Sequence, residues 1–332
     1  MSGNESNANQ GSGNTRGSLL PKKWIPLLVT AVVFVLLFAS ASMRFEGFAS
    51  MYVVADLFSE NAFLGITAIG MTFVILSGGI DLSVGSVIGF TSILVASLIT
   101  DYGMSPWIVW AIALTLGTTL GAAMGTLIHV YRLPAFLVTL GGLFFARGMA
   151  FHVKPEAVQI DHPVYDRLGD VAIPIGGGAE LGIPPLIFLS LFVIALVVAH
   201  YTRFGRNVYA IGGDEESAVL MGLPVGKTKI LVYTVNGFLS ALAGITMTLY
   251  MDSGNPINAT ALELDAIAVV VIGGTLLTGG VGYVAGTLLG LLIYATIYQV
   301  TFFASLRSSL ATIAIGMLLL GFIVLQKVVH RD

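Results

Sequence analysis

The sequence predicts an all-α integral membrane protein: a polytopic bundle of about ten transmembrane helices with an internal repeat and broken or re-entrant helices. Three observations carry that prediction. Of 332 residues, 56% are hydrophobic and 10% charged, against roughly 25% charged in an average soluble domain. The mean hydropathy is +0.92, and the apolar residues lie in runs that approach or exceed the ~20 needed to cross a bilayer as a helix. There are 40 glycines, and small residues let membrane helices approach closely.

Residues 1–20 are rich in Gly, Ser and Asn. That composition buries too little apolar surface to offset chain entropy, so a disordered cytoplasmic tail is expected. The transmembrane remainder, 21–330, opens on Lys22 and Lys23 and then an apolar run with no small-residue cleavage site after it, as in an uncleaved first span. Apolar segments follow at about 25–42, 54–76, 83–100, 107–130, 134–152, 185–201, 230–250, 264–280, 283–303 and 308–326. Some are short enough to be half-spans.

Cation placement orients this layout. With the N-terminus inside, the inner face receives Arg16, Lys22, Lys23, Arg132, Arg203, Arg206, Lys227, Lys229, Lys327 and Arg331. The outer face receives Arg44, Lys154, Arg167 and Arg307, and only Arg147 falls within a span. This obeys the positive-inside rule and predicts that both termini are cytoplasmic. Two connections are long: an outer loop at about 153–184 and an inner loop at about 202–229. So little aqueous mass leaves no room for a soluble catalytic domain. No Cys is present, which excludes disulfides, Fe–S clusters and thiol nucleophiles. No catalytic constellation, metal-ligand set or cofactor fingerprint is found, so no enzyme activity, metal or cofactor is expected.

Residues 75–90 (ILSGGIDLSVGSVIGF) match 276–291 (LLTGGVGYVAGTLLGL) at a constant offset of 201 residues. Leu76, Gly78, Gly79, Gly85 and Gly89 recur as Leu277, Gly279, Gly280, Gly286 and Gly290. Chance repetition of Gly-rich apolar sequence is the plain alternative. A duplicated element accounts better for the run of paired glycines, and transporter sites often lie where Gly-broken helices of two repeats meet.

The string Gly78-Gly79-Ile80-Asp81-Leu82-Ser83-Val84-Gly85-Ser86 puts a carboxylate at membrane depth, where a charge costs on the order of 2.5–3.5 kcal/mol without partners or water. Its glycines can break a helix, and Asp81 or Ser83 can cap the next one. A gate or pathway element is the functional reading, and one capped break can serve as both. Candidate residues for a solute path are Asn61, Thr72, Gly78, Gly79, Asp81, Ser83, Ser86, Arg147, Asn236 and Asp265, chosen by polarity and depth. Arg147 either snorkels to the interface or lines a polar cavity.

In the inner loop, Gly213-Asp214-Glu215-Glu216-Ser217-Ala218-Val219-Leu220-Met221-Gly222 starts with three acids, matching the positive end of a helix dipole, and Gly222 is placed to end the helix. As a bare pattern this is a solvated loop helix with an apolar edge. The neighbouring Gly222-Leu223-Pro224-Val225-Gly226-Lys227-Thr228 imitates a phosphate-binding loop, but Met221 stands where the first Gly is required. ATP, if used, is bound by another subunit.

Three strings, 68–90, 202–223 and 263–290, resemble the ribose/xylose/galactose-type permeases of bacterial ABC importers, and the resemblance runs from about 25 to 328. NAFLGI (61–66), FFARGM (144–149) and DHPVYD (161–166) look most like the galactofuranose permeases. The resemblance implies a multi-pass subunit of the bacterial inner membrane translocating a monosaccharide, with galactofuranose the best guess. It also implies three partners: a cytoplasmic ATP-binding subunit, a periplasmic sugar-binding protein, and a second permease, either a sister chain or a second copy. Nucleic acid is not expected. In such importers an inner loop with E-A-A, then three residues, then Gly contacts the ATPase. Glu216, Ser217, Ala218 and Gly222 match that spacing, with Ser217 departing at the second position, and Gly213 precedes them. An ion-gradient-driven secondary transporter of a small polar solute is the alternative; only Asp81 and Asp265 offer themselves as ion carriers.

Overall fold

The computed structural model of the protein describes residues 25–329; the tail expected over 1–20, together with Arg16, Lys22, Lys23 and Arg331, lies outside them. The chain runs through α1 (Ile25–Arg44), α2 (Met51–Ser59), α3 (Ala62–Leu76), α4 (Val84–Thr100), α5 (Pro106–Val130), α6 (Ala135–Val153), β1 (Val158–Gln159), α7 (Pro163–Gly169), β2 (Ile173–Gly176), β3 (Ala179–Leu181), α8 (Ile183–Tyr201), α9 (Arg203–Gly213), α10 (Glu215–Leu220), α11 (Val225–Met251), β4 (Ser253–Gly254), α12 (Leu262–Ile272), α13 (Val284–Phe303) and α14 (Ser308–Val329).

The helical membrane bundle is as expected, with four short strands outside it, but about ten spans is more than is found. Among the described residues seven helices are long and apolar enough to cross a bilayer: α1, α5, α6, α8, α11, α13 and α14. An eighth arises if α2 and α3, bent by 55° at Glu60–Asn61, count as one. The remaining two expected segments are short. Helix α4 has 17 residues. The segment expected over 264–280 is helical only to Ile272, because Gly273-Gly274 end α12 after 11 residues.

Helix α11 is the hub. Gly117, Gly121 and Gly125 form a stripe on α5 at four-residue spacing, and any side chain there would strike α11: Gly237 O at 2.7 Å from a Cβ on Gly117, Ile230 Cα at 2.9 Å from one on Gly125. With no solvophobic drive between helices in lipid, such contact supplies the association. Around it α3 is buried over nearly its whole length, as are α4 and the second halves of α11 and α12. The outer faces of α1, α6, α8 and α14 present Leu36, Phe144, Val193 and Leu320 to the surroundings.

The two long loops gather at opposite ends. The 153–184 connection is a small folded cap: β1 pairs antiparallel with β4, β2 with β3, and Lys154 makes an ion pair with Asp101 at 2.8 Å. At the other end lie the α5–α6 turn, α9, α10 and the start of α11.

Candidate functional site

The repeated motifs fold into two helix–break–helix units, α3–(77–83)–α4 and α12–(273–283)–α13. Each first helix ends the same way. Gly78 N–H bonds Ile75 O and Gly79 N–H bonds Val74 O; Gly274 N–H bonds Val271 O and Thr275 N–H bonds Val270 O. Both are Schellman ends with a left-handed glycine. The offset of 201 aligns the motifs but not the helix ends, because the second break is longer and its helix stops sooner. Backbone at membrane depth has no water to satisfy it, and each break finds other donors. Leu76 O accepts Gly280 N–H at 3.0 Å, so one break caps the other. Ile272 O accepts the Thr30 hydroxyl at 2.8 Å, and Val271 O accepts Gln326 Nε2 at 3.1 Å.

Asp81 is 1% exposed. Its Oδ1 accepts Ser83 N–H at 2.9 Å and the Ser83 hydroxyl at 2.6 Å, and its Oδ2 accepts Asn236 Nδ2 at 2.8 Å. Neither residue caps α4 with its side chain: Ser83, at the N-cap position, makes no such bond, and Asp81 accepts the Ser83 N–H just outside the helix, as in an Asx turn. The same carboxylate pins the first break to α11.

The expected path residues do not form one site. Asp81, Ser83 and Asn236 cluster, with Gly79 beside them. The Thr72 and Thr287 hydroxyls share a 2.7 Å bond that ties α3 to α13. Ser86 is buried. Arg147 stands apart from this cluster: its Nη1 donates to Pro256 O and, at 3.0 Å, to Asn258 O, holding the connection between α11 and α12. Asp265 bonds Tyr294. Asn61 sits at the 55° bend, its amide donating to Leu57 O at 3.1 Å.

Sequence reading missed Tyr233 and Glu263. The Tyr233 hydroxyl is buried without a partner against Gly79, and a Glu263 carboxylate oxygen is buried without one against Gly85. The signal was faint: a tyrosine in a long helix and a glutamate at a helix start are both ordinary. Also missed was a chamber of about 590 Å³ at the end of the 153–184 cap, lined by Asp56, Glu60, Tyr298 and Gln299.

At the opposite end, a cavity of about 1080 Å³ joins the first break to the inner-loop helix. Ser77, Gly78, Gly79 and Tyr233 line one side, His129 and Arg132 another, and Asp214, Glu215, Glu216 and Lys229 a third. Lys229 pairs with Glu215 at 2.6 Å. Helix α10 is a built element. Asp214 caps it by accepting Ser217 N–H at 2.6 Å, which holds the Asp214 carboxyl below the usual range. Gly222, with positive φ, ends it in another Schellman motif, through Gly222 N–H to Val219 O and Leu223 N–H to Ala218 O. Ala218 packs under it against Ile211, Val225 and Leu223. Val219, Leu220 and Met221 point outward, Leu220 at 87% exposure. The Lys227-Thr228 imitation of a nucleotide loop is simply the first turn of α11.

A helical membrane bundle with two broken helices meeting beside a short, apolar-edged surface helix is the build of a transport permease. Residues 53–325 match the family model described as the branched-chain amino acid transport system / permease component, and the chain belongs to that family. It is 48% identical over 92% of its length, and 93% of the relative's, to the inner membrane ABC transporter permease protein YjfF of Escherichia coli. It is 35% identical to the fructose import permease protein FruG of Bifidobacterium longum, covering 97% and 96% of the two chains. To the ribose import permease protein RbsC of Haemophilus influenzae it is 39% identical, over 79% and 81%. No solved structure matches the chain. The resemblance to the ribose/xylose/galactose-type permeases thus holds, and the chain is a transport component rather than an enzyme.

Proposed function

We propose that this chain is the passage subunit of an ATP-driven sugar importer of the bacterial inner membrane, and that its substrate is a monosaccharide, galactofuranose in particular. A cytoplasmic ATP-binding subunit contacts Gly213, Glu216, Ser217, Ala218 and Gly222. A periplasmic sugar-binding protein delivers substrate to the opposite end, and a second permease, sister or copy, completes the path. Residues 21–330 act as one permease domain with both termini cytoplasmic, in keeping with Arg132, Arg203, Arg206, Lys227 and Lys229 lying at the end that carries α10. Thr72, Gly78, Gly79, Asp81, Ser83, Ser86 and Asn236 serve as the gate between the units, with Asn61, Arg147 and Asp265 farther along the path.

The observation that carries this reading is α10: capped at both ends, buried behind through Ala218, and bearing an outward row of Val219, Leu220 and Met221. Three adjacent exposed apolar residues on a charged surface helix have the character of a docking edge. Glu216→Lys and Gly222→Asp should each abolish ATP-driven uptake by the full complex in proteoliposomes while the protein stays folded in the membrane. Unchanged uptake in both variants would refute the ATPase contact. For the substrate, uptake of labelled galactofuranose is compared with ribose and fructose. Preference for either of the latter rejects the galactofuranose assignment and leaves the permease reading in place.

A further inference from the structure

Helix α9 is an 11-residue amphipathic helix that precedes α10 with only Asp214 between them. Its far end makes an unusual contact. A Cβ on Gly212 would run into Leu76 O, the last carbonyl of α3, and would meet Gly280 N at 2.6 Å. One on Gly279 would meet Gly78 N at 2.8 Å and Gly212 O at 2.9 Å; one on Gly280 would meet Gly213 N and Cα, both at 2.6 Å. Three backbones from three distant stretches of chain therefore cross with no side chain between them. The crossing is closed by the Gly280 N–H bond to Leu76 O.

Each unit is held to α9 a second time. Phe204, at the near end of α9, packs its ring 5.8 Å from Phe73 of α3. The Tyr209 hydroxyl donates to Gly282 O of the second break at 2.9 Å. Two separated attachments to each unit prevent α9 from sliding or pivoting on either unit alone. Close-packed elements with no intervening side chain pass on displacement rather than absorbing it, because packed interiors are stiff.

We propose that Gly212, with Gly279, Gly280 and Tyr209, forms the positioning contact through which α10 moves both helix breaks as one body. Displacement of α10 enters α9 through Asp214, reaches the glycine crossing, and shifts the ends of α3 and α12–α13 together. Both halves of the repeat are thereby driven from one point in each subunit, and Asp81, Ser83 and Asn236 are carried with the first break. The inference rests on α10 being the ATPase contact.

The test uses the full complex in proteoliposomes, with labelled galactose as the transported probe and ATP hydrolysis measured in parallel. Gly212→Ala should lower sugar carried per ATP by about tenfold, the size of an ordinary site-to-site coupling, while ATP hydrolysis stays within about twofold of wild type. Tyr209→Phe keeps the ring, loses one hydrogen bond, and should lower the ratio by about threefold. A parallel fall of uptake and hydrolysis, or an unchanged ratio, overturns the proposal. The native chain has no cysteine, which allows a measurement that does not depend on Gly212→Ala folding. Spin labels at Arg206→Cys on α9 and Leu277→Cys on the second break, both exposed, should keep their separation between nucleotide-free and nucleotide-trapped complexes. Both should move relative to a label at Tyr131→Cys, at the end of α5. A changed Arg206–Leu277 separation overturns the single-body motion. If Glu216→Lys leaves uptake intact, the ATPase contact itself falls; if it abolishes uptake while Gly212→Ala leaves the ratio unchanged, only the glycine crossing falls.

Discussion

The two helix breaks are written in nearly the same letters and are held in different ways. The first, residues 77–83, is short and anchored by a buried carboxylate: Asp81 gathers Ser83 and Asn236 and so ties the break to α11. The second, 273–283, is longer and carries no charge. It is held by backbone, by glycines at positive φ (Gly274, Gly279, Gly280 and Gly282), and by hydroxyl and amide groups sent in from α1 and α14. One duplicated motif has thus become a charge-anchored break and a backbone-anchored one. Charge anchoring is strong and intolerant, since a buried carboxylate must keep every partner. Backbone anchoring distributes the same duty over several weaker bonds, each worth about 1 kcal/mol net.

The largest expected effect tests the charge anchor. Asp81→Ala leaves three donors buried without an acceptor and should destabilise the folded chain by about 3 kcal/mol, read as thermal unfolding in detergent. Asp81→Asn, which keeps the shape and one acceptor oxygen, should lose clearly less. An Asp81→Asn variant as stable as the wild type would mean that the charge contributes nothing beyond shape and hydrogen bonding.

In the backbone-anchored break, Gly280→Ala forces a side chain onto a residue at φ +73° and toward Gly213. A loss of about 2 kcal/mol is expected by the same measurement. Thr30→Val, on a helix outside both repeats, removes a donor to Ile272 O and should cost about 1 kcal/mol. If Thr30→Val rivals Asp81→Ala, the distinction between the two breaks fails.

The smallest effect concerns α10, which the first break faces across the inner cavity. The carboxyl of Asp214 lies below its ordinary value because it accepts Ser217 N–H. A depressed carboxylate contributes its stabilisation above the unfolded pKa and loses it as pH falls through the lower folded pKa. The helix should therefore be indifferent to pH near neutrality and loosen only in acid. Amide exchange at Ser217 checks this: protection constant from neutral pH down to the ordinary Asp range, then falling, is the expected profile. Asp214→Asn, which still caps but does not titrate there, should remove the acid-side fall.

Much of this was legible in the chain. Span after span follows from apolar run length, since a bilayer imposes that length locally. The ends of α10 were readable because capping is also local: Asp214 at one end and Gly222 at the other obey rules that span a few residues. Asp81 was singled out because a carboxylate in apolar sequence must find partners. What failed was whatever depended on neighbours distant in sequence. Residues 264–280 read as one apolar run, yet the helix stops at Ile272 before Gly273-Gly274, and Thr30 and Gln326 from distant helices donate to its last carbonyls. The partners of Arg147, the carbonyls of Pro256 and Asn258, lie more than a hundred residues away, and no local pattern names them. Tyr233 carried no signal, since only packing against Gly79 sets its hydroxyl in the wall of the cavity.

The sequence by itself determined the membrane bundle, the duplicated motif, the capped surface helix and the kinship of the chain, because each is recorded in composition, period or short spacing. Only the tertiary structure decided that the two breaks touch, that Gly212 lies between them, and that one is secured by charge and the other by backbone. Those facts depend on bringing residues 76, 212 and 280 together. The tolerance of such a crossing is a single methyl group, a quantity that no local pattern of residues records.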